Sequence, residues 1–277
     1  MLTVILAVSA ALLAWFGIFY GIPGKHWGWA TLSGLAAFFA VVVPISFIIR
    51  KKLERIFTAV QQAILSSQEQ LRRKVLALQS KMQSGPKLQA QIEKEQEESV
   101  RNALKILDQV QPLYKWNFLA RRQTNTVKGQ MLFQIKDFTA ADELLAKAFV
   151  LDPMTLAMQM SLMYKNGRRK ELEKAFQTGV GRFKDEKGTI LYALYSWVLV
   201  AENRINDAVA VLAEGKKKCE DPILAQNWDH LANGRQRRFS NAGFGDNWYS
   251  LHLESMPMPK VRAQVPFGGK VSRGGFR

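Results

Sequence analysis

Residues 1–24 and 27–49 carry no charged side chain and are built almost wholly from Leu, Val, Ile, Ala, Phe and Trp. A hydrocarbon layer of roughly 30 Å needs about 20 apolar helical residues to cross it, and each stretch is that long. Between them the segment "GIPGKHWGWA" holds Gly21, Pro23 and Gly24, which break a helix, then Lys25 and His26, which resist burial in lipid. Tyr20, Trp27 and Trp29 flank the break, as aromatic rings do at a headgroup boundary. The pattern predicts a transmembrane helical hairpin over residues 1–49 with a tight turn at one membrane face. Pro44 lies inside the second stretch, where membrane helices tolerate it. Two readings compete with the spanning hairpin: a buried soluble hairpin, and a cleaved leader plus one span, for which the only charge at the start is the terminal amine and no clean small-x-small site precedes Pro23.

Beyond the second apolar stretch the pattern changes to one apolar residue every three or four. Leu53, Phe57, Val60, Ile64, Leu71, Val75, Leu78 and Met82 form one helical stripe that no Pro or Gly interrupts. Residues 50–110 therefore read as a basic helical stalk, broken at "SGPK" by Pro86 and resumed in "LQAQIEKEQEESVRNALKILDQV". Two such helices either fold back as an antiparallel pair or run on as an oligomeric coiled coil. The stripe lapses between Ile64 and Leu71, which weakens the heptad signal.

A third pattern occupies residues 111–233. In "GQMLFQIKDFTAADELLAKAFVLDP" small residues stand at Gly129, Ala141 and Ala148, large ones at Leu132, Phe138 and Leu145, and Pro153 closes the unit. Ser196, Leu199, Ile205, Ala208, Leu212 and Gly215 repeat six of these sites, each 67 residues later. Small side chains let two helices cross closely, and large ones fill the space between turns. Together these residues resemble a tetratricopeptide repeat, whose unit of about 34 residues is a helix pair. Two periods less one deletion give the offset of 67, and in a register of 34 a middle unit aligns Leu172 with Phe138 and Ala175 with Ala141. "ILAQNWDHLA" reads as a capping helix.

The resemblance implies an α-solenoid whose concave face, lined by the first helix of each pair, binds peptides or partner helices. On it would lie Met131, Gln134, Met158, Met160, Met163, Tyr164, Tyr192, Tyr195 and Trp197; the competing assignment for each is core between repeats. The order of parts is similar to that of bacterial inner-membrane proteins in which a double span precedes such an array, including some associated with haem biosynthesis. The order alone does not transfer their role. The whole chain is thus expected to be all-α.

Charge adds orientation and a candidate second contact. The chain carries a net +16, but the excess is local: eight basic against two acidic residues in 50–82, and again eight against two in 234–277. Arg50, Lys51, Lys52 and Arg55 follow the second apolar stretch, whereas the turn offers Lys25 alone. Basic flanks stay cytoplasmic, so both termini are expected there, with anionic lipid at the flank. The segment 234–277 loses helical periodicity and reads as a basic extended tail. Arg235, Arg237, Arg238, Arg273 and Arg277 lie among its aromatics, a composition suited to an anionic surface, to protein docking, or to RNA through phosphate contacts and stacking. Its first half, with Phe239, Phe244, Trp248, Tyr249, Leu251 and Leu253, is also suited to wrapping the array.

No catalytic constellation appears. His26, His230 and His252 are scattered, a single cysteine, Cys219, excludes an internal disulfide framework, and "GGKVS" lacks the rest of a phosphate loop. No enzyme activity, cofactor or metal is therefore expected. The expected function is that of a membrane-anchored adaptor or scaffold that gathers partner proteins at the cytoplasmic face, with oligomerisation open. Two other readings stand beside it: a structural subunit of a larger membrane complex, using the small residues of "SAALLA" and "SGLAA" for helix contacts, and a tether of RNA or ribosomes through the tail.

Overall fold

The computed structural model describes residues 2–21, 27–79 and 86–255, with the side chains of residues 75–79, 86–89 and 118 outside that description. The expected turn at Pro23, Gly24, Lys25 and His26, most of the break before Pro86, and Arg273 and Arg277 lie outside the described residues. About 84% of the described residues are helical and none of them lies in a strand, so the fold is all-α.

Two N-terminal helices, α1 (Leu2–Gly21) and α2 (Trp27–Gln79), are long and apolar enough to cross a membrane by length and composition. They pack against each other where side chains are small. A Cβ on Gly34 would lie 3.1 Å from the Ala11 carbonyl oxygen, and Ser33 Oγ reaches the Ala14 carbonyl of α1 at 3.5 Å. The small residues of both stretches thus meet inside this pair. Outside it, Leu13, Leu32 and Phe47 stand exposed.

Helix α2 runs unbroken through Pro44 into the basic segment, and α3 (Pro86–Asp108) folds back on it. Lys74 pairs with Glu95 at 3.0 Å near one end, Val60 buries against Val100 and Leu107 midway, and Ile49 and Leu53 bury against Val110 at the other end. Of the two arrangements open to the stalk, this is the antiparallel pair. A 3-10 turn (Gln111–Lys115) then brings the chain back beside α1, where Thr3 Oγ1 donates to the Trp116 carbonyl at 2.9 Å.

Seven helices follow: α4 (Phe118–Gln134), α5 (Phe138–Leu145), α6 (Pro153–Lys165), α7 (Arg169–Arg182), α8 (Thr189–Ala201), α9 (Ile205–Cys219) and α10 (Pro222–Ala232). Four of the first turns are capped by side chains: Asn117, Asp137, Asp152 and Asp221 each accept a backbone N–H, and Pro153 and Pro222 sit where no N–H is required. Pro153, read as a closing residue, therefore opens α6.

Helices α4, α6, α8 and α10 end in the same turn. Residues 136, 167, 203 and 234 are left-handed, with φ of 64°, 71°, 59° and 67°, and the N–H of the next residue reaches back five residues to a helix carbonyl. Those bonds are Asp137 to Leu132, Arg168 to Met163, Arg204 to Leu199 and Arg235 to His230, at 3.0, 2.9, 2.8 and 2.7 Å. The spacings are 31, 36 and 31 residues, so two interleaved offsets of 67 run through the chain. This corrects the sequence register of the middle unit. Gly129, Leu145 and Ala148 correspond to Met160, Phe176 and Gly179, 31 residues on rather than 34. Contacts agree with that register: Gly179 abuts Leu156 and Gly215 abuts Tyr192, residues that hold equivalent places on α6 and α8.

The expected packing positions divide cleanly by burial. Ala141, Leu145, Ser196, Ala208 and Leu212 are fully buried, Leu132 and Leu199 nearly so, and Phe138, Ala148 and Ile205 pack at the edge of the same core. Phe176 joins the pairs, stacked on Tyr195 at 4.2 Å and edge-on to Tyr192 at 5.4 Å. The array docks on the stalk through Met131, which buries against Val60, Val100, Ala103 and Leu107.

Candidate functional site

Helices α4, α6 and α8 are the first helices of their pairs, α10 follows without a partner helix, and the segment after α10 crosses these four in reverse order. It begins where the Asn227 side chain of α10 clamps it. Asn227 donates to the Ser240 carbonyl at 3.0 Å and to Asn241 Oδ1 at 2.9 Å, and accepts from the Ser240 N–H at 3.0 Å. Asn241, fully buried, donates to the Ala193 carbonyl of α8 at 2.9 Å. A buried amide with these partners fixes the segment, because leaving any of them unmade in a water-free site is costly.

The chain then forms a short helix, α11 (Asp246–Tyr249), whose Trp248 is wholly buried, as is Leu251 after it. Trp248 lies edge-on to Trp197 of α8 at 6.0 Å, and Trp197 edge-on to Tyr164 of α6 at 5.4 Å. The Glu254 carboxylate joins the two indoles: Oε1 accepts from Trp197 Nε1 at 2.6 Å and Oε2 from Trp248 Nε1 at 2.7 Å. Both bonds lie at the short end for an N–H donor to a carboxylate oxygen. Farther on, Lys165 donates to the His252 carbonyl at 2.8 Å and lies over the Phe138 ring. The His252 ring sits 5.4 Å from Phe133 and 5.8 Å from Phe138.

The end of the segment covers an open cleft of about 700 Å³ lined by Glu93 of α3, Lys136, Lys165, Asp246, His252 and Glu254. Burial lowers the affinity of Lys165 for its proton. Burial, then the charges of Lys136 and Lys165, does the same for His252. Residues 235–255 are thus a packed strap of short helical turns, where the sequence suggested an extended tail. The aromatics that signalled contact (Phe239, Phe244, Trp248, Tyr249, Leu251 and Leu253) all pack on the helical core.

Of the residues expected on the partner-binding face, Gln134 is exposed and Tyr164 half-buried, while Met131, Met158, Tyr192 and Tyr195 are buried and offer no free surface. Met131 is covered by the stalk, and Tyr192 donates to Glu214 at 3.1 Å inside the α8–α9 pair. Burial and that carboxylate raise the Tyr192 phenol far above its ordinary range. The residues that do meet a segment on this face are Phe133, Phe138, Lys165, Ala193, Trp197 and Asn227. One of these, Trp197, was legible as a candidate, and Tyr164 backs it from α6.

Arg50, Lys51, Lys52 and Arg55 are exposed on α2 where its apolar stretch ends. Arg235, Arg237 and Arg238 are exposed on the 3-10 turn after α10. The buried Cys219 thiol is pushed up by burial, away from a reactive thiolate. No family model, curated protein or solved structure matches this chain.

Proposed function

We propose that the protein is a membrane-anchored adaptor. Helices α1 and α2 span the membrane as a hairpin, the helix pairs form a tetratricopeptide-type solenoid, and the first-helix face gathers partner proteins on the cytoplasmic side. The carrying observation is the exposed apolar surface of the N-terminal pair. Leu13, Phe47, Leu32 and Leu35 are 75%, 65%, 62% and 62% exposed, although the two helices already pack on each other. Such a surface needs a covering, and a hydrocarbon layer supplies one of the right thickness. The basic flank at Arg50, Lys51, Lys52 and Arg55 supports a cytoplasmic stalk and array. Anchoring confines the array to a surface, which raises the effective concentration of membrane-bound partners without any new contact.

The test is purification from native membranes in mild detergent, in RNase-treated and untreated halves, each analysed by mass spectrometry. A defined protein set that survives RNase is the expected result. The three exposed arginines at 235–238 favour the second reading, an RNA or ribosome tether; co-purified ribosomal material that vanishes with RNase would overturn the adaptor in its favour.

A further inference from the structure

The strap makes nearly all of its backbone bonds with itself. Within it, Trp248 and Tyr249 donate to the Gly245 carbonyl, Ser250 to Asp246, Leu251 to Trp248 and His252 to Tyr249. Its ties to the helices run through side chains: Asn227 and Asn241 at the near end, Lys165 and Trp197 at the far end. Detaching it would break no backbone ladder. The two ends also differ. Asn241, Trp248 and Leu251 are fully buried, whereas His252 to Glu254 are half-buried, Ser255 is exposed, and the 700 Å³ cleft opens beneath them. His252 has a left-handed φ of 52°, a conformation costly for a residue with a Cβ. The face it covers is aromatic and self-sufficient in backbone bonding, since its helices satisfy their own peptide groups.

We infer that residues 241–254 are a resident occupant of the first-helix face, standing in for a partner segment of the same chemistry. That segment presents an indole, an aliphatic side chain three residues on and a carboxylate three further, as Trp248, Leu251 and Glu254 do. The indole fills the space beside Trp197, the aliphatic group enters the helical core as Leu251 does, and the carboxylate takes the Trp197 N–H. The strap therefore competes with the partner for the face that the adaptor reading assigns to binding, and this inference rests on that reading.

The experiment uses the full chain in detergent micelles and a fluorescein-labelled peptide of residues 241–255 as probe, read by fluorescence anisotropy. Glu254→Lys removes both indole bonds of the strap and leaves Trp248 and Leu251 in place. The variant protein should bind the peptide at least tenfold more tightly than the wild-type chain does. Adding Trp197→Ala should abolish the gain, and a peptide carrying Glu254→Lys should bind neither protein. In the wild-type chain, amide exchange at residues 248–252 should run at least a hundredfold faster than at residues 191–199. Equal peptide affinity for both proteins, equal exchange of strap and α8, or global unfolding of the Glu254→Lys chain would each show that the strap is fixed core and overturn the inference. Partners recovered from membranes alongside any of those results would leave the adaptor standing without a competing strap.

Discussion

Leu145 fills the space that a Cβ on Gly129 would need: built there, the atom would lie 2.6 Å from Leu145 Cγ and 3.3 Å from the Leu145 nitrogen. Gly179 with Leu156 and Gly215 with Tyr192 repeat the relationship, at 2.5 and 2.8 Å. Helices at these crossings approach as far as glycine allows. Gly129→Ala is expected to cost about 1–3 kcal/mol through overpacking, seen as a lower melting temperature. Gly181, on α7 with nothing within 4 Å of its missing Cβ, is the contrast. There the same change should be neutral or stabilise by about 0.5–1 kcal/mol through lower chain entropy. Calorimetry on both variants in detergent checks the pair, and a stable Gly129→Ala protein would refute the close crossing.

Asn241→Ala should destabilise by about 1–3 kcal/mol for each buried group it strands. The Ala193 carbonyl loses one of its two side-chain donors, keeping Ser196 Oγ, and the Asn227 amide loses one of its two acceptors. Helical circular dichroism at low temperature should be unchanged, because α8 and α10 keep their own ladders. An unaltered melting curve would show that water replaces the amide.

Acid should loosen the strap. His252 binds its proton less readily in the fold than its ordinary value of 6.5, through burial first and then Lys136 and Lys165; the Phe133 and Gln134 backbone groups that hydrogen-bond the ring pull the other way. Below pH 6.5 the unfolded chain holds more protons than the folded one, so stability falls as pH drops through that window and is level above it. Glu93, Asp246 and Glu254 line the same cleft, so the reference is His252→Gln. Its melting temperature should fall less between pH 7.5 and 5.5 than that of the wild type. An equal fall in both would exclude His252 as the cause.

Val60→Asp should separate array from stalk. Val60 is 3% exposed and packs among Val100, Ala103, Leu107 and Met131. An unpaired carboxylate there costs several kcal/mol, more than the apolar contacts of the patch return. Limited proteolysis is expected to cut within residues 80–117 in the variant while leaving 129–232 intact. Unchanged protection would mean that other contacts hold the array in place.

The helix pairs could be read from sequence because their signal is steric. Small residues at Gly129, Ala141 and Ala148, and again at Ser196, Ala208 and Gly215, recur wherever helices cross. The division of 67 into 31 and 36 was hidden, because only two of the four turns carry glycine at the left-handed position. Gly167 and Gly234 mark their turns; Lys136 and Asn203 adopt the same conformation without the residue that announces it. The buried tyrosines misled for a different reason. Helix α8 is enclosed by α6, α7, α9, α10 and the strap, so it is apolar on every side, and Tyr192 and Tyr195 carry no mark of which way they face. Glu254 bridging two indoles, one of them 57 residues away, has no local signature at all.

Helix α2 is a single piece of 53 residues, roughly 80 Å of rod at 1.5 Å per residue. The array is bolted to it at two heights, through Met131 at Val60 and through the Trp116 carbonyl at Thr3, the latter by way of α1. Two fixings on one rod leave no free joint. On the adaptor reading, in which α1 and α2 span the membrane, a tilt of the apolar helices would swing the strap-covered face through the same angle.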